Sequence, residues 1–455
     1  MNLNTLKKIH FIGIGGISMS ALALIMRDKN CIISGSDRSH SETTDWLESK
    51  GIEIYYGHDD SNIDEPGLVV YTSAIGDDNP EFVAAKRDNL PLMSRSEFLG
   101  LLMKSYDKSL TVAGTHGKTT TTGMVATILE HLNTDSTILI GGFLKNINGN
   151  LKIGSGNWIL TEACEYKENF LDFSPTHSII LNVDEDHLDY FSGIDHIKST
   201  FKNYAALHPK EGALILNSDD VNSAELISNN PNCITFGINS NADFQAFDIN
   251  HNDFGYPNFK FSYNNKVYNV QLKVFGTHNI LNALAAIALC YSLELPINKI
   301  VEGIEHFTGT HRRFEQLGLC NGALIIDDYA HHPTELKSTL DSLASFKHQN
   351  ILAVFQPHTY TRTLSLIDDF ANILAKFNNL IITDIYAARE VNDGRVSSKD
   401  LVDKIKALSP DSKIMQMSSF DEISSYAKSY LKPNDVFITI GAGDVNKIAN
   451  NLVKQ

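Results

Sequence analysis

The chain has 455 residues, and at roughly 150 residues per domain this length predicts about three domains. Hydrophobic residues make up 42% of the sequence and charged residues 20%, a composition that excludes a disordered, collagen-like or disulfide-built protein. Because the formal net charge is -16, the surface as a whole repels phosphate backbones, and we expect no nucleic-acid partner.

Two features bear on the cellular compartment. The five cysteines are widely spread without a CxxC pair, which argues against a disulfide framework or a structural zinc site and favours a reducing cytoplasm. The run from Ile9 to Met26 resembles an export signal, but glycines and serines interrupt it too often, so we interpret it as a strand, a tight turn and a helix. The longest apolar helix elsewhere, Ala283 to Leu293, is too short for a bilayer, and no membrane partner is expected.

Short apolar strands alternate with helical patterns along most of the chain, which predicts α/β domains built on parallel sheets. We expect residues 1–106 to form a Rossmann-like first domain, with strands at 9–12, 31–34 and 68–71 and helices at 19–27, 43–50 and 80–86. We expect residues 107–311 to form a P-loop ATPase-like central domain, with strands at 110–113, 158–161 and 178–183 and a helix at 118–132. Within it, residues 243–272 show period-two patterning around Asn264-Asn265, which predicts a small antiparallel annex.

We expect residues 312–455 to form a third α/β domain, which is again Rossmann-like. Its predicted strands are 323–326, 351–355, 380–383 and 436–440, and its predicted helices are 334–345, 364–376 and 398–408.

A phosphate-binding loop is predicted between the strand 110–113 and the helix 118–132, in the run Gly114-Thr115-His116-Gly117-Lys118-Thr119-Thr120. Glycines let backbone N–H groups wrap a phosphate chain, the lysine reaches the outer phosphates, and the threonine hydroxyl can ligate Mg2+. The loop departs from the usual GxxxxGK[ST] pattern, because Val112 occupies the position of the first glycine. The motif predicts ATP binding; the alternative is a glycine-rich turn that merely begins a structural helix.

A second glycine motif follows the first strand. Gly13, Gly15 and Gly16 form a tight turn, and Asp37 closes the next strand. In a Rossmann unit this arrangement puts a pyrophosphate on a helix N-terminus and a carboxylate near a ribose hydroxyl. Ser18 stands where the fingerprint has its last glycine, and an empty structural turn remains an alternative. A dinucleotide-like site followed by an ATP loop indicates a nucleotide-linked substrate that meets ATP.

Acidic and imidazole side chains follow the central strands, at the sheet edge where open α/β domains bind ligands. Glu162 follows one strand, and the segment 182–189, which contains His187, follows another. Mg2+ prefers hard oxygen ligands, so Thr119 and Glu162 are the stronger metal candidates and His187 the less usual one.

Several motifs in order along nearly the whole chain resemble those of the Mur ligases, the ATP-dependent amide-bond-forming enzymes of bacterial peptidoglycan synthesis. Besides the ATP loop they are residues 10–16, Glu162-Ala163, Asp186-His187, residues 276–279 with Asn282, and the segments 312–315, 327–335, 356–363 and 384–390. The resemblance implies that ATP and Mg2+ are used to join L-alanine to the carboxylate of UDP-N-acetylmuramate through an acyl phosphate. A monomer or homodimer is expected.

The resemblance also implies site residues. UDP-sugar binding falls to Gly15, Gly16, Asp37, Thr72 and Ser73, in the first domain. ATP binding falls to residues 114–120 with His278, Asn282, Arg312 and Asp328, and metal binding to Thr119, Glu162 and His187. The residues expected to bind the amino acid lie in the third domain and are Tyr329, His331, His358 and Arg362. The expected catalytic residues are Lys118, His187, His358 and Arg362.

Other functions remain open from sequence. A recycling ligase that attaches a tripeptide to the same sugar would differ mainly in its acceptor pocket. A nicotinamide-dependent dehydrogenase would use the first glycine motif but leave the Lys118 loop without a purpose, and a nucleotide-regulated scaffold would perform no chemistry. His331, His332 and His358 have a structural alternative too, since the histidines before Pro333 could simply cap the next helix.

Overall fold

The computed structural model describes residues 3–230, 232–252, 254–388 and 390–454. Arg389, part of the 384–390 motif, lies outside the described residues. Within those ranges, no helix combines the length and the apolarity needed to cross a membrane.

The first domain is a parallel sheet of five strands in the order β3-β2-β1-β4-β5, flanked by helices. Its strands are β1 (Lys8–Ile12), β2 (Ile32–Asp37), β3 (Glu53–Tyr56), β4 (Leu68–Tyr71) and β5 (Leu92–Ser94). Its helices are α1 (Ile17–Asp28), α2 (Glu42–Ser49), α3 (Pro80–Arg87) and α4 (Arg95–Met103). The predicted strand, turn and helix at the N-terminus are confirmed as β1, the glycine turn and α1.

The central domain has a sheet of ten strands in the order β15-β14-β13-β12-β11-β10-β6-β9-β7-β8. Its strands are β6 (Lys108–Ala113), β7 (Thr137–Leu144), β8 (Gly149–Lys152), β9 (Trp158–Ala163), β10 (His177–Ile180), β11 (Ala213–Asn217), β12 (Ile234–Gly237), β13 (Phe244–His251), β14 (Pro257–Tyr263) and β15 (Lys266–Gln271). Its helices are α5 (Lys118–His131), α6 (Ile194–Ala205), α7 (Ala224–Asn229), α8 (His278–Ser292) and α9 (Ile297–Ile304).

The predicted hairpin is present, but it continues the central sheet. Asn264 and Asn265 have positive φ angles of 49° and 60°, as a tight hairpin turn between antiparallel strands requires. Strand β13 pairs in parallel with β12 and antiparallel with β14, so the annex extends the sheet instead of forming a separate layer. The hairpin joins the sheet because the backbone of β13 pairs with that of β12. This pairing is not visible in the local sequence pattern of the hairpin.

The third domain has a sheet of six strands in the order β16-β17-β21-β18-β19-β20, parallel except for the first pair. Its strands are β16 (Glu315–Cys320), β17 (Ala323–Asp328), β18 (Ile351–Phe355), β19 (Asn379–Ile382), β20 (Lys413–Gln416) and β21 (Val436–Ile440). Its helices are α10 (Pro333–Ala344), α11 (Tyr360–Ser365), α12 (Ile367–Leu374), α13 (Ser398–Leu408), α14 (Phe420–Tyr430) and α15 (Asn446–Val453).

The helix predicted over 364–376 was wrong in its extent, because two helices, α11 and α12, meet at Leu366. The backbone of Leu366, with φ of -113° and ψ of 19°, departs from helical geometry. Helix α11 begins at Tyr360, four residues before the predicted start at 364. It carries Arg362 at the carboxyl end of the third sheet. The α/β class with three sheets is confirmed.

Candidate active site

The loop between β6 and α5 is held in a tight conformation by a glycine and by a neighbouring asparagine. Gly117 has a φ of 85°, and a Cβ there would lie 2.9 Å from the Asn282 Oδ1 atom. The Asn182 side chain clamps the backbone of His116, since its Oδ1 accepts the His116 N–H at 2.8 Å and its Nδ2 donates to the His116 carbonyl at 3.1 Å. The first N–H groups of α5 have no partner within the helix, and such groups attract phosphate.

Lys118 is held by a carboxylate that sequence reasoning missed. Its Nζ donates to Glu165 Oε2 at 2.9 Å and to the Thr115 carbonyl at 3.1 Å. Burial disfavours the charged form, but the negative charges around the ammonium group, Glu165 first among them, together outweigh burial and raise the pKa of Lys118. The Glu165 side chain is only 3% exposed, so it depends on Lys118 for compensation of its charge.

A cavity of about 760 Å³ lies between the central and third domains, beside this loop. Its size suits a nucleoside and part of a phosphate chain. Among its lining residues are His116, Gly117 and Thr120 from the loop, His278 and Asn282 from α8, and Arg313, Asp328 and Glu335 from the third domain. Six residues predicted to bind ATP thus lie on its wall: His116, Gly117, Thr120, His278, Asn282 and Asp328.

The structure does not bring Arg312 to this cavity. Its Nε donates to Asp327 Oδ2 at 3.0 Å, and its Nη1 and Nη2 donate to the carbonyls of Gly443 and Gly441 at 2.9 and 2.7 Å. Its neighbour Arg313 lines the cavity instead. Arg312 therefore joins the start of the third domain to the end of β21.

We expect Arg312→Met to lower the free energy of unfolding by about 3–5 kcal/mol, because it leaves the buried Asp327 carboxylate without its partner. Urea unfolding followed by circular dichroism measures this. Arg395→Met, which removes an exposed arginine paired with Asp393, is the control and should change little. Equal stability of both variants would contradict the structural role of Arg312.

Two of the three predicted metal ligands are adjacent. Thr119 Oγ1 donates to Glu162 Oε2 at 3.0 Å, and Glu162 Oε1 accepts the Gly141 N–H. One hydroxyl and one carboxylate fit Mg2+, which keeps several waters and takes substrate phosphate oxygens as further ligands. His187 lies beside Glu165 instead, with 4.0 Å between His187 Nε2 and Glu165 Oε1, and its φ is 55°.

The side chains of His116, Asp184 and His332 also form a group with metal-ligand spacing. Hydrogen bonds occupy both nitrogens of His332, since Nδ1 accepts the Thr334 N–H at 3.3 Å and Nε2 lies 3.0 Å from the Glu185 carbonyl. His332 thus caps α10, as the structural alternative predicted.

His116 bridges two domains. Its Nε2 lies 3.2 Å from Asp184 Oδ2, and its Nδ1 lies 3.5 Å from Glu335 Oε1 in the third domain. Burial favours neutral imidazole, but the two carboxylates outweigh it and raise the pKa of His116 to about 9. His116 is therefore a cation at neutral pH and links the loop between β6 and α5 to α10.

This raised pKa predicts a pH-dependent stability. The folded-state pKa lies above the value of 6.5 for an unperturbed histidine, so the stabilisation is complete below about pH 6.5 and is lost as the pH rises through about 9. We expect the difference in melting temperature between the wild type and His116→Gln to shrink from pH 6.5 to pH 9.5. Thermal unfolding monitored across that range measures it, and a constant difference would contradict the assignment.

The glycine turn of the first domain is closed by the predicted carboxylate. The Gly15 N–H donates to Asp37 Oδ2 at 2.8 Å, so Asp37 holds the turn itself. A Cβ at Gly13 would lie 2.5 Å from Thr72 Cγ2, which shows how closely the turns after β1 and β4 approach. Gly16 caps α1 without a side-chain hydrogen bond, which leaves backbone N–H groups for an anion. Ser73 is exposed beside Thr72.

The four predicted amino-acid-binding residues form a connected group in the third domain. Ring centroids lie 5.5 Å apart for Tyr329 and His331, and 5.8 Å apart for His331 and His358. Arg362 Nη1 lies 3.3 Å from His358 Nδ1. Burial lowers the pKa of His331, and it lowers the pKa of His358 to about 4, so both rings are neutral at pH 7.

Arg362 also reaches across to the central domain. Its Nη2 and Nε donate to Asp186 Oδ1 at 2.9 and 3.1 Å. Burial favours the neutral carboxyl, but Arg362 and nearby histidines hold the pKa of Asp186 well below its usual range.

Sequence reasoning missed the partners that hold these residues in place, chiefly Glu165, Asn182, Asp184 and Glu335. Asp184 and Asn182 lie in the polar segment already predicted at the sheet edge, which was the available signal. Glu335 lies at the third position of α10, where its Oε2 accepts the His331 N–H at 2.9 Å. Its contact with His116 joins distant parts of the chain, and no local pattern indicates it.

Comparison with known families matches three models along the chain. The model for the Mur ligase family catalytic domain matches residues 8–107, the Mur ligase middle domain matches 112–290, and the Mur ligase, glutamate ligase domain matches 312–443.

Individual relatives are similar over nearly the full length. UDP-N-acetylmuramate–L-alanine ligase of Clostridium acetobutylicum is 49% identical over 99% of this chain and 98% of its own. The crystal structure of UDP-N-acetylmuramate-alanine ligase from Thermotoga maritima has a TM-score of 0.82 at 32% identity, with 98% of each chain covered. A murein peptide ligase from Psychrobacter arcticus has a TM-score of 0.70 at 25% identity, again with 98% of each chain covered. The chain belongs to the Mur ligase family.

Proposed function

We propose that this chain is an ATP-dependent ligase that joins L-alanine to the carboxylate of UDP-N-acetylmuramate and releases ADP and phosphate. The observation that carries the proposal is that the Lys118 loop and the pocket of Tyr329, His331, His358 and Arg362 meet across one domain interface. The 49% identity to an L-alanine ligase over 99% of the chain supports the substrate assignment. The free cysteines agree with a reducing compartment, and the proposed location is the cytoplasm.

Each domain has a proposed role. Residues 1–106 bind the UDP-sugar, whose diphosphate meets the N-terminus of α1 at Gly15 and Gly16. Residues 107–311 bind the phosphates of ATP, and residues 312–455 bind the amino acid. Asp37 supports the glycine turn, and Thr72 and Ser73 border it.

The proposed position of ATP follows the cavity wall. The nucleoside lies near His278, Asn282 and Asp328, and the phosphates run along the loop to Lys118 and Thr119. Arg313, on the cavity wall, takes the place beside the nucleotide that was expected for Arg312. Burial raises the pKa of Asp328 to about 6. Its carboxyl group accepts a hydrogen bond from the Thr339 hydroxyl.

Mg2+ would be held by Thr119 and Glu162, with His187 near Glu165 as a further candidate. When bound, it neutralises charge on the transferring phosphoryl group. Lys118 and the backbone N–H groups at the start of α5 stabilise the same oxygens from the protein side.

Amide formation then needs two steps. A carboxylate does not react with an amine, so the γ-phosphoryl group is first transferred to it, and the acyl phosphate has phosphate as its leaving group. Arg362 binds the α-carboxylate of L-alanine and turns its amine toward the acyl carbon. His331 and His358 are neutral at pH 7. Nδ1 of His358 already accepts from Arg362, whereas His331 donates from Nδ1 to the Tyr329 carbonyl at 2.9 Å, so Nε2 of His331 is the proposed proton acceptor.

A tripeptide-adding recycling ligase is the main rival. The murein peptide ligase structure agrees less well than the alanine ligase structure, with a TM-score of 0.70 against 0.82. The sequence identity is also lower for the murein peptide ligase, at 25%, than for the alanine ligase, at 32%. Both comparisons favour the alanine ligase.

Phosphate release from the purified chain tests the proposal. We expect release with ATP, Mg2+, UDP-N-acetylmuramate and L-alanine together, and none when the UDP-sugar is omitted. Glycine, L-serine, D-glutamate and the tripeptide are compared in parallel. If phosphate were released only with D-glutamate, or only with the tripeptide, as the added amino compound, the assignment of L-alanine as substrate would be overturned. Binding of NADH without binding of the UDP-sugar would instead favour a dehydrogenase.

A further inference from the structure

We infer that Asp186 of the central domain is a positioning residue that orients Arg362 of the third domain toward the α-carboxylate of the amino-acid substrate. The inference rests on the proposed function, because that function assigns the amino acid to Arg362. It adds a residue from another domain to the amino-acid site.

The Asp186 carboxylate is itself firmly placed. Its Oδ1 atom accepts the His187 backbone N–H at 2.7 Å, in the segment that follows β10. The same oxygen accepts Nη2 and Nε of Arg362 at 2.9 and 3.1 Å. The side chains of Asp186 and Arg362 are only 9% and 12% exposed, so water competes little for these bonds.

The hydrogen-bond count leaves Arg362 free to bind a second carboxylate. A guanidinium has five N–H donors in a fixed plane. Two are directed at Asp186, and one on Nη1 is directed at His358 Nδ1, 3.3 Å away. One N–H on Nη1 and one on Nη2 remain, and two such donors match the two oxygens of a carboxylate. Asp186 thus occupies one edge of the guanidinium and leaves an outer edge for the ligand.

The amino-acid site is therefore completed by approach of the two domains. Residues next to Asp186 are bound from the third domain as well, since Thr334 Oγ1 donates to Asp184 Oδ2 at 2.8 Å and His332 Nε2 lies 3.0 Å from the Glu185 carbonyl. Three consecutive residues of the central domain are thus held by the third domain. Without that approach, Arg362 would keep its charge but lose the support that fixes its plane.

Asp186→Asn tests the inference, because asparagine keeps the size of the side chain and one oxygen but removes its charge. We expect the KM for L-alanine to rise about tenfold, with KM values for ATP and UDP-N-acetylmuramate changed less than twofold. Asp368→Asn, which alters an exposed carboxylate paired with Lys404, is the matched control and should leave all three KM values unchanged.

Two further measurements separate positioning from a general structural role. The preference in kcat/KM for L-alanine over L-alaninamide, which lacks the α-carboxylate, should fall in Asp186→Asn. The double variant Asp186→Asn with Arg362→Met should have the same KM for L-alanine as Arg362→Met alone, since Asp186 acts through the guanidinium.

An unchanged KM for L-alanine, an equal rise in all three KM values, or additive effects in the double variant would overturn the inference. Failure of the proposed function is seen separately, in the wild type, as absence of phosphate release that depends on L-alanine. In that case the inference falls with it.

Discussion

Lys118→Met is expected to lower kcat for phosphate release about a thousandfold while the chain still folds. Negative charge builds on the phosphoryl oxygens as the γ-phosphoryl group is transferred. A preorganised cation in a site that excludes most water stabilises this charge by several kcal/mol. Lys118 is placed for this role at the first position of α5, with Glu165 holding its ammonium group. Steady-state phosphate release at saturating substrates measures the effect.

The stability of this variant needs its own control. Removal of Lys118 leaves the buried Glu165 carboxylate without its lysine partner, which destabilises the fold by itself. The double variant Lys118→Met with Glu165→Gln removes both charges and should recover the melting temperature but not the activity. A kcat within tenfold of the wild type for the single variant would contradict the assigned role of Lys118.

Glu162→Gln is expected to raise the Mg2+ concentration for half-maximal activity at least tenfold. The amide has the same shape: its oxygen can accept the Gly141 N–H, and its NH2 group can donate to the Thr119 hydroxyl oxygen, so both contacts can be kept. It lacks the negative charge that a hard cation requires from its ligand. Mg2+ titration of phosphate release at fixed ATP measures the shift.

Glu130→Gln is the matched control for this substitution. Glu130 lies in the same domain, pairs with Lys152 at 2.6 Å and does not touch the predicted metal ligands. Its Mg2+ dependence should equal that of the wild type. Equal Mg2+ dependence in Glu162→Gln would show that Glu162 does not ligate the metal.

Much of this architecture could be predicted, because it depends on local patterns. The strand, loop and helix around Lys118 follow from glycines between an apolar strand and a helical pattern. The polar residues after β9 and β10 are brought together because the carboxyl ends of parallel strands meet at one edge. Glu162 is predicted in this way, and Asp186 lies in the segment 182–189 that is predicted at the same edge.

The remainder depends on pairings between distant segments. Asp327 and Asp328 are adjacent on β17, yet one binds Arg312 and the other lines the cavity, because successive side chains point to opposite faces of a strand. Sequence alone cannot decide which arginine faces the cavity. The contacts of Glu335 with His116 and of Asp186 with Arg362 likewise arise only when two folded domains meet.

The central claim is that the carboxylate of the UDP-sugar is phosphorylated by ATP. Transfer of an oxygen atom from that carboxylate to the released phosphate tests this claim most directly. UDP-N-acetylmuramate labelled with 18O in its carboxylate is incubated with the chain, ATP, Mg2+ and L-alanine, and the released phosphate is analysed by mass spectrometry. If the Lys118 loop presents the γ-phosphoryl group to that carboxylate, each phosphate released carries one 18O atom. Unlabelled phosphate, formed together with the amide product, would contradict the account.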